Sequence, residues 1–456
     1  MKCPAYPKYK ESGVEWLGQV PGHWEVKRGR FAMMVNPASP VLRALEGDDE
    51  VSFLPMDAVG EFGGLRLEQT RAIAEAGGGY TEFQDGDVVL AKITPCFENC
   101  KGALATGLVN GAAYGTTELH VLRSGPHLDT RYLFYLTITD GFRKFGEAEM
   151  YGAGGQKRVP PEFCKDFPTP LPSSAEQATI ADFLDRETGR VDTLVAKKQA
   201  LIELLKEKRI ALISRTVTRG LPAAIAPEFG LKPHTRFKHS GIEWLGEVPE
   251  GWEVVKVKFV AKMESGHTPS RSEPSNWIEE ECVIPWVSLN DTKHLKENDF
   301  IGDTSVKISE KGMKNSSAHL LPAGVVVFTR DATIGLTAIT TCPAAVSQHI
   351  IAWVPSTKVL PKYLLLSFTA MQQYLESLTF GSTLKTIGMS DVRKLTMPVP
   401  PLPEQTAIAS YLDRETAKID RLVAKVEAAI VRLQEYRTAL ITAAVTGKID
   451  VRQEAL

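Results

Sequence analysis

Six cysteines in 456 residues are too few and too scattered to staple a fold, so Cys3, Cys96, Cys100, Cys164, Cys282 and Cys342 read as free thiols in a reducing compartment. No apolar run approaches the roughly 18 residues of a membrane span. The opening stretch "MKCPAYPKYKESG" has no apolar signal core, so a cytoplasmic location with no membrane partner is expected. An excess of either charge is missing too: 53 Lys and Arg stand against 55 Asp and Glu. The balance holds segment by segment, with 18 against 22 in residues 1–169, 11 against 8 in 170–236, 16 against 17 in 237–397, and 8 against 8 in 398–456. A nucleic-acid binder of this composition has to arrange positive charge locally or take it from a partner.

Catalytic signatures are lacking as well. No G-x-x-x-x-G-K-[ST] loop occurs, which excludes a simple ATP motor. No "NPPY"-like adenine-methylation motif occurs; "NPAS" at Asn36 lacks the second proline and the aromatic. The glycines of "AGGGYTEF" (Ala76) and "GAGGQKR" (Gly152) do not form a strand–GxGxxG–helix unit. "CFENC" at Cys96, with His120 and His127 beyond it, matches no standard zinc-finger spacing, so no metal site is expected. No nucleophile elbow is recognisable.

What is present is written twice. Tyr9–Phe31 aligns without gaps on Phe237–Phe259, with 13 of 23 positions identical and an offset of 228. "EQATIADFLDRET…" from Glu176 returns as "EQTAIASYLDRET…" from Glu404, again at 228, half the chain. Each copy therefore runs anchor, variable region, long helix. Between the variable regions, Ala32–Thr169 and Val260–Met397, only scattered features recur: "GDVVLAK" with "GVVVFTR", "TTELHVLR" with "VSQHIIAWV", "YLFYLTI" with "YLLLSFT", "GAGGQKRV" with "GSTLKTIG". Two matching architectures with different surfaces would suit a duplicated reader of two different targets, and simple drift after duplication remains the alternative. In the anchor, Trp16, Trp24, Trp244 and Trp252 are expected to pack the domain entrance against a helix end.

From each EQ pair onward the chain is rich in Ala, Leu, Glu, Lys and Arg and free of proline for 43 residues, with "PTPLPSS" and "MPVPPLPEQ" barring helix upstream. Such a helix is roughly 64 Å long. Seven-residue spacing gives Leu184, Val191, Lys198, Leu205, Leu212 in copy one and Leu412, Ile419, Val426, Leu433, Leu440 in copy two. Beside them stand Ile180, Leu194 and Leu201, then Ile408 and Leu422, while Val195, Ile202, Val423 and Ile430 widen the stripe. The natural partner of one helix is the other, and pseudo-two-fold pairing makes them antiparallel.

The whole pattern, "SGxEWLGxVPxxWEV", a variable region, "PLPxxxEQxxIAxxLDRET" and a long helix, each repeated once, resembles the specificity subunit of Type I restriction-modification systems over essentially the whole chain. The resemblance implies an α+β chain with two α/β target recognition domains separated by two long helices in an antiparallel coiled coil, with a pseudo-two-fold internal repeat. The first recognition domain would span 1–169, the helical region 170–218, a linker 219–236, the second recognition domain 237–397 and the second helical region 398–456. It implies a non-catalytic chain that reads a bipartite target in double-stranded DNA, one domain per half-site, in the service of phage defence. Two modification subunits would dock on it and restriction subunits could join. This chain would bind no cofactor itself; S-adenosylmethionine, ATP and Mg²⁺ would sit on its partners. A standalone methyltransferase or nuclease with a cryptic site, and a coiled-coil adaptor that binds only proteins, remain alternatives.

Base edges are read by Arg or Lys on guanine and Asn or Gln on adenine, and polar loops are the places to look. "GAGGQKRV" supplies Gln156, Lys157 and Arg158, and "GSTLKTIG" supplies Ser382, Thr383 and Lys385. "LAKITP" adds Lys92 and Thr94, "FTRDATIG" adds Arg330, Asp331 and Thr333, and "WVSLND" adds Ser288 and Asn290.

Overall fold

The computed structural model describes residues 4–452 except 77, 154 and 382–384. The chain forms two compact units, Met1–Gln199 with Glu427–Leu456, and Ala200–Val426. The long helices are continuous over Ser174–Arg219 (α1, 46 residues) and Leu402–Val445 (α2, 44 residues). Each helix therefore contributes one end to each unit. Helix begins two residues before each EQ pair, and Pro403 lies in the first turn of α2, where a missing N–H costs nothing.

In both units a central strand is buried on both faces, which explains the continuous apolar runs in "GDVVLAK" and "GVVVFTR". In the first unit, Leu119–Ser124 lies between Met33–Val35 and Asp87–Ala91, with Gly102–Leu104 beyond. Val88 and Leu90 pack on the Thr130–Thr137 helix through Tyr132, Leu133 and Leu136; Val89 and Ala91 point the other way, toward Leu54, Phe83 and Ala113. In the second unit, Ile350–Pro355 lies between Ala261–Ser265 and Val326–Thr329, with Thr337–Thr340 beyond. Val326 and Phe328 face the Pro361–Ala370 helix, and Val325 and Val327 face Val287 and Val346. A parallel pair completes each layer, Glu50–Leu54 with Ala112–Gly115 and Ile284–Val287 with Ala345–Val346. Three of the sparse sequence matches thus mark equivalent elements of two similar α/β layers.

The anchors join these layers to the helices. Glu25–Arg28 pairs antiparallel with Pro168–Leu171, and Glu253–Lys256 with Thr396–Val399, so each anchor is laced to the strand that leads into its helix. Trp24 is fully buried and donates its indole N–H to Glu176 in the first turn of α1 at 3.2 Å, while His23 Nε2 lies 2.8 Å from the other carboxylate oxygen. Trp252 donates to Glu404 at 3.0 Å, and there the imidazole is that of His234, 2.5 Å away. Tyr6 and His234, also 228 apart, both meet their tryptophan edge-on at 5.8 and 5.6 Å. The neighbouring Gln177 and Gln405 hold the loop before each helix through Pro172 and Pro400 carbonyls at 2.9 Å. Trp16 packs on Phe167 at 5.1 Å between ring centroids, and Trp244 packs against the second core.

The end of the other helix meets the same junction. Tyr132 Oη lies 3.1 Å from Pro170 O and 3.0 Å from Val445 O; Tyr363 Oη lies 3.1 Å from Pro398 O and 3.3 Å from Val217 O. Gly447, at φ 71°, ends α2 in the left-handed conformation, and Lys448 N closes the turn onto Ala443 O at 2.8 Å. A side chain at 447 would strike Pro21 and Trp24.

Within each unit the helix segments run antiparallel. In the first, Ile180 and Leu184 share a core with Leu440, Ile441 and Ala444, and Arg437 Nε bonds Asp192 at 3.1 Å. In the second, Ile213 and Val217 share a core with Ile408 and Leu412, and Arg209 Nε bonds Asp420 at 3.1 Å. The seven-residue lines lie in the seam: Leu184, Val191, Leu205, Leu412, Ile419, Val426 and Leu440 are buried, and Leu212 and Leu433 are partly so. The companion line differs from expectation. It stands four residues on, at Thr188, Val195, Ile202, Arg209 and at Thr416, Val423, Ile430, Arg437, not three. Leu194 and Leu422, expected at the interface, are 43% and 44% exposed, and Leu201 and Leu204 face outward with them. The stripe is apolar on both lines, and only the partner helix decides which is covered. Ile202→Ala should therefore cost about 2–4 kcal/mol, while Leu201→Ala, one residue away, should cost under about 1 kcal/mol; thermal and denaturant unfolding compare them.

Candidate nucleic-acid interface

Loops that are distant in sequence meet at the same end of the central strands in both units. In the first, the strand Asp87–Ala91 runs into Lys92, whose N–H donates to Glu118 O at 2.9 Å and whose carbonyl accepts from Val159 N at 2.8 Å. Thr94 N–H donates to Lys157 O at 3.0 Å. In the second, Arg330 N–H donates to His349 O, and its carbonyl accepts from Ile387 N, both at 3.0 Å; Ala332 N–H donates to Lys385 O at 2.9 Å. The two ladders correspond bond for bond. They bring Lys92, Thr94, Lys157 and Arg158 together in one unit and Arg330, Asp331 and Lys385 in the other. Gln156 and Lys157 are exposed at the loop tip, and Lys385 is exposed in its own loop. Ser382 and Thr383 lie outside the described residues.

The side chains on this common frame differ. Arg158 grips Glu118 with two bonds, Nε to Oε2 at 2.9 Å and Nη2 to Oε1 at 2.7 Å, so its guanidinium is oriented but partly neutralised. This bond holds the Glu118 carboxyl below the usual carboxylate range, with the Lys92 charge adding to the effect. In the second unit the acid sits on the opposite segment. Asp331 is 4% exposed; Thr386 Oγ1 donates to its Oδ1 at 2.7 Å, and His349 Nδ1 lies 2.7 Å from its Oδ2. Burial opposes the charge of Asp331, but the Thr386 and His349 bonds and the Arg330 guanidinium outweigh it and depress its pKa. Arg330 itself is held only loosely, at 3.4 Å from Asp331.

Two expected contacts are corrected by burial. Asp331 is committed to Thr386 and His349, and Ser288, 4% exposed, is committed to Asp291, which bonds its N–H at 2.9 Å and its hydroxyl at 3.4 Å. Neither reaches the surface as a base-reading group. Thr333 turns its carbonyl to the Thr329 hydroxyl inside the loop. Asn290, next to Ser288, is exposed. His120 is a core residue, with Nε2 2.8 Å from Val159 O, and burial lowers its pKa. Sequence reasoning missed Glu118 and His349. Their signal was the alignment of "TTELHVLR" with "VSQHIIAWV", whose residues just before the strand are the ones that meet Lys92 and Arg330.

Because Glu118 and Asp331 have depressed pKa values in the folded chain, their pairs stabilise it above the unfolded carboxylate pKa, about 4. That stabilisation is lost as pH falls through each folded value. Acid unfolding curves should therefore lose part of their pH dependence in Glu118→Gln and in Asp331→Asn, each in its own unit.

With this geometry in place, comparison with known proteins is informative. Residues 249–430 match the family model described as the Type I restriction modification DNA specificity domain. The specificity subunit of the Type I restriction enzyme EcoEI from Escherichia coli is 40% identical over 168 residues, covering 36% of this chain and 28% of that protein. The chain thus aligns with little more than a quarter of that relative's length. The putative Type I restriction enzyme MjaX specificity subunit of Methanocaldococcus jannaschii is 23% identical over 477 residues, covering 97% of this chain and 98% of that one. Among solved structures, a chain from work on complex assembly and conformational transition of the type I R-M system superposes with a TM-score of 0.65 at 18% identity, covering 93% of this chain and 98% of that chain. At that identity the likeness concerns the fold alone.

Proposed function

We propose that this chain is a specificity subunit of a Type I restriction-modification system, and that it serves there as the non-catalytic DNA reader. Each unit reads one half of a bipartite double-stranded target. The helices that both units share set the interval between the halves and carry two modification subunits, with restriction subunits joining the assembly. S-adenosylmethionine, ATP and Mg²⁺ are handled by those partners. The observation that carries this reading is the pair of equivalent loop ladders with opposite side-chain arrangements, Glu118 with Arg158 and His349 with Asp331. A shared frame with exchanged polar groups is what two readers of different sequences require.

The physical logic follows from charge. With a net charge of −2, the chain alone has little nonspecific pull on phosphates, so much of the grip comes from its partners. The isolated chain incubated with DNA and S-adenosylmethionine or Mg²⁺ should neither methylate nor cleave; either activity would favour a standalone enzyme. Mixed with its modification subunits it should confer sequence-selective methylation; no selectivity would favour a protein-only adaptor. Replacing Gln156, Lys157 and Arg158 together by Ala should weaken one half-site by an order of magnitude or more and leave the other unchanged, as read by methylation of paired variant targets.

Removing one heptad from each of α1 and α2 keeps the seam in phase and shortens each helix by roughly 10 Å. The permitted interval between half-sites should then contract by on the order of one to three base pairs, at about 3.4 Å each. Both half-site sequences should persist. Methylation of targets with graded spacers reads the outcome, and an unchanged interval would show that the helices are not the ruler.

A further inference from the structure

Beside the Asp331 cluster, in the second unit, three separate segments enclose a cavity of about 290 Å³. One brings Thr268 and Arg271, the second Trp286 and Ser288 to Asn290, the third Ser347 to His349. The third is laid down by the parallel strand pair, with Ser347 N–H donating to Val287 O at 2.9 Å. His349 ties the cavity wall to the equivalent-ladder cluster through its 2.7 Å contact with Asp331.

Two of the lining residues are buried and carry a polar atom without a partner. Trp286 is 2% exposed and Ser347 1%, and neither Trp286 Nε1 nor Ser347 Oγ has a hydrogen-bond partner among the described residues. An indole N–H is donor only, and a hydroxyl donates and accepts. The rim carries Asn290 and Gln348, both exposed. No carboxylate-bearing residue is among those lining the cavity. Arg271 is placed at the mouth by stacking over Trp277 at 5.9 Å, and Trp277 in turn meets Trp286 edge-on at 5.8 Å. Carboxamides offer a paired donor and acceptor to a base edge, and a guanidinium suits a phosphate or a guanine.

We propose that this cavity is the base-reading site of the second unit, with Gln348 and Asn290 discriminating a single base and Arg271 holding the adjacent phosphate. The proposal rests on the DNA-reading function above and adds residues to it. It places the reading edge at the Ser347–His349 turn, beside the buried Asp331, which acts as a positioning residue through His349. Lys385 then flanks the site instead of forming it.

The test uses the chain assembled with its modification subunits and a random-sequence duplex library, from which bound DNA is selected and sequenced. Gln348→Ala and Asn290→Ala should each relax preference at one and the same position of a single half-site, with a loss of about tenfold or more on the selected sequence. Arg271→Ala should weaken binding to all sequences alike and lower the salt slope by about one. Retained selectivity at the other half-site is the control for folding. Undiminished preference at every position in both Gln348→Ala and Asn290→Ala, or equal loss at both half-sites, would overturn the proposal while leaving the DNA-reading function standing. Absence of any selected sequence with the unsubstituted assembly would overturn both.

Discussion

A carboxylate at the start of a long helix is the interaction on which this structure turns. Glu176 and Glu404 sit where the helix dipole favours negative charge, but both are largely buried, and a buried charge is tolerated only when it is paired. A tryptophan indole and an imidazole supply the pairing in each unit. The tryptophan and its glutamate are 152 residues apart in both copies, with an entire α/β layer in between. One bond therefore closes the layer onto the helix, and the tyrosines at 132 and 363 bring in the end of the other helix at the same place. The repeated anchor is a clamp for three chain segments, which accounts for its resistance to change beside variable regions that share so little.

Most of the scaffold could be read from the chain. The duplication, the two helices and their seven-residue lines depend on local pattern, and local pattern is visible in one sequence. The companion line was not, because Leu194 and Leu201 are as apolar as Val195 and Ile202, and a helix carrying both lines contains nothing that says which will be covered. The extra positions read as widening the stripe turned out to be the companion line of the seam, and Leu194, Leu201 and Leu422, read as companions, turned out to face outward. The candidate contacts fared similarly. The loops that meet were recognisable from glycines and polar residues, but Glu118 pairs with a partner 40 positions away and His349 with one 18 positions away, and such pairings belong to the folded state alone.

Function and fold connect through the ladder at the ends of the central strands. Its hydrogen bonds are made by backbone groups, so they constrain no side chain. The apolar strand residues beneath it are committed to two cores and hold the ladder rigid. On that base the side chains at the ladder positions are free to differ, and they do: arginine and glutamate in one unit are answered by aspartate and histidine in the other. The reading function proposed above would need this division, with stiffness from the main chain and identity from side chains that carry no structural duty other than toward one another.

That mutual duty has an evolutionary corollary. A carboxylate as enclosed as Asp331 cannot lose His349 and Thr386 without being left to the looser Arg330 pair alone, and Arg158 cannot be exchanged alone without releasing Glu118. Under the reading proposed above, such positions should consequently change as linked sets, by jumps instead of gradual drift.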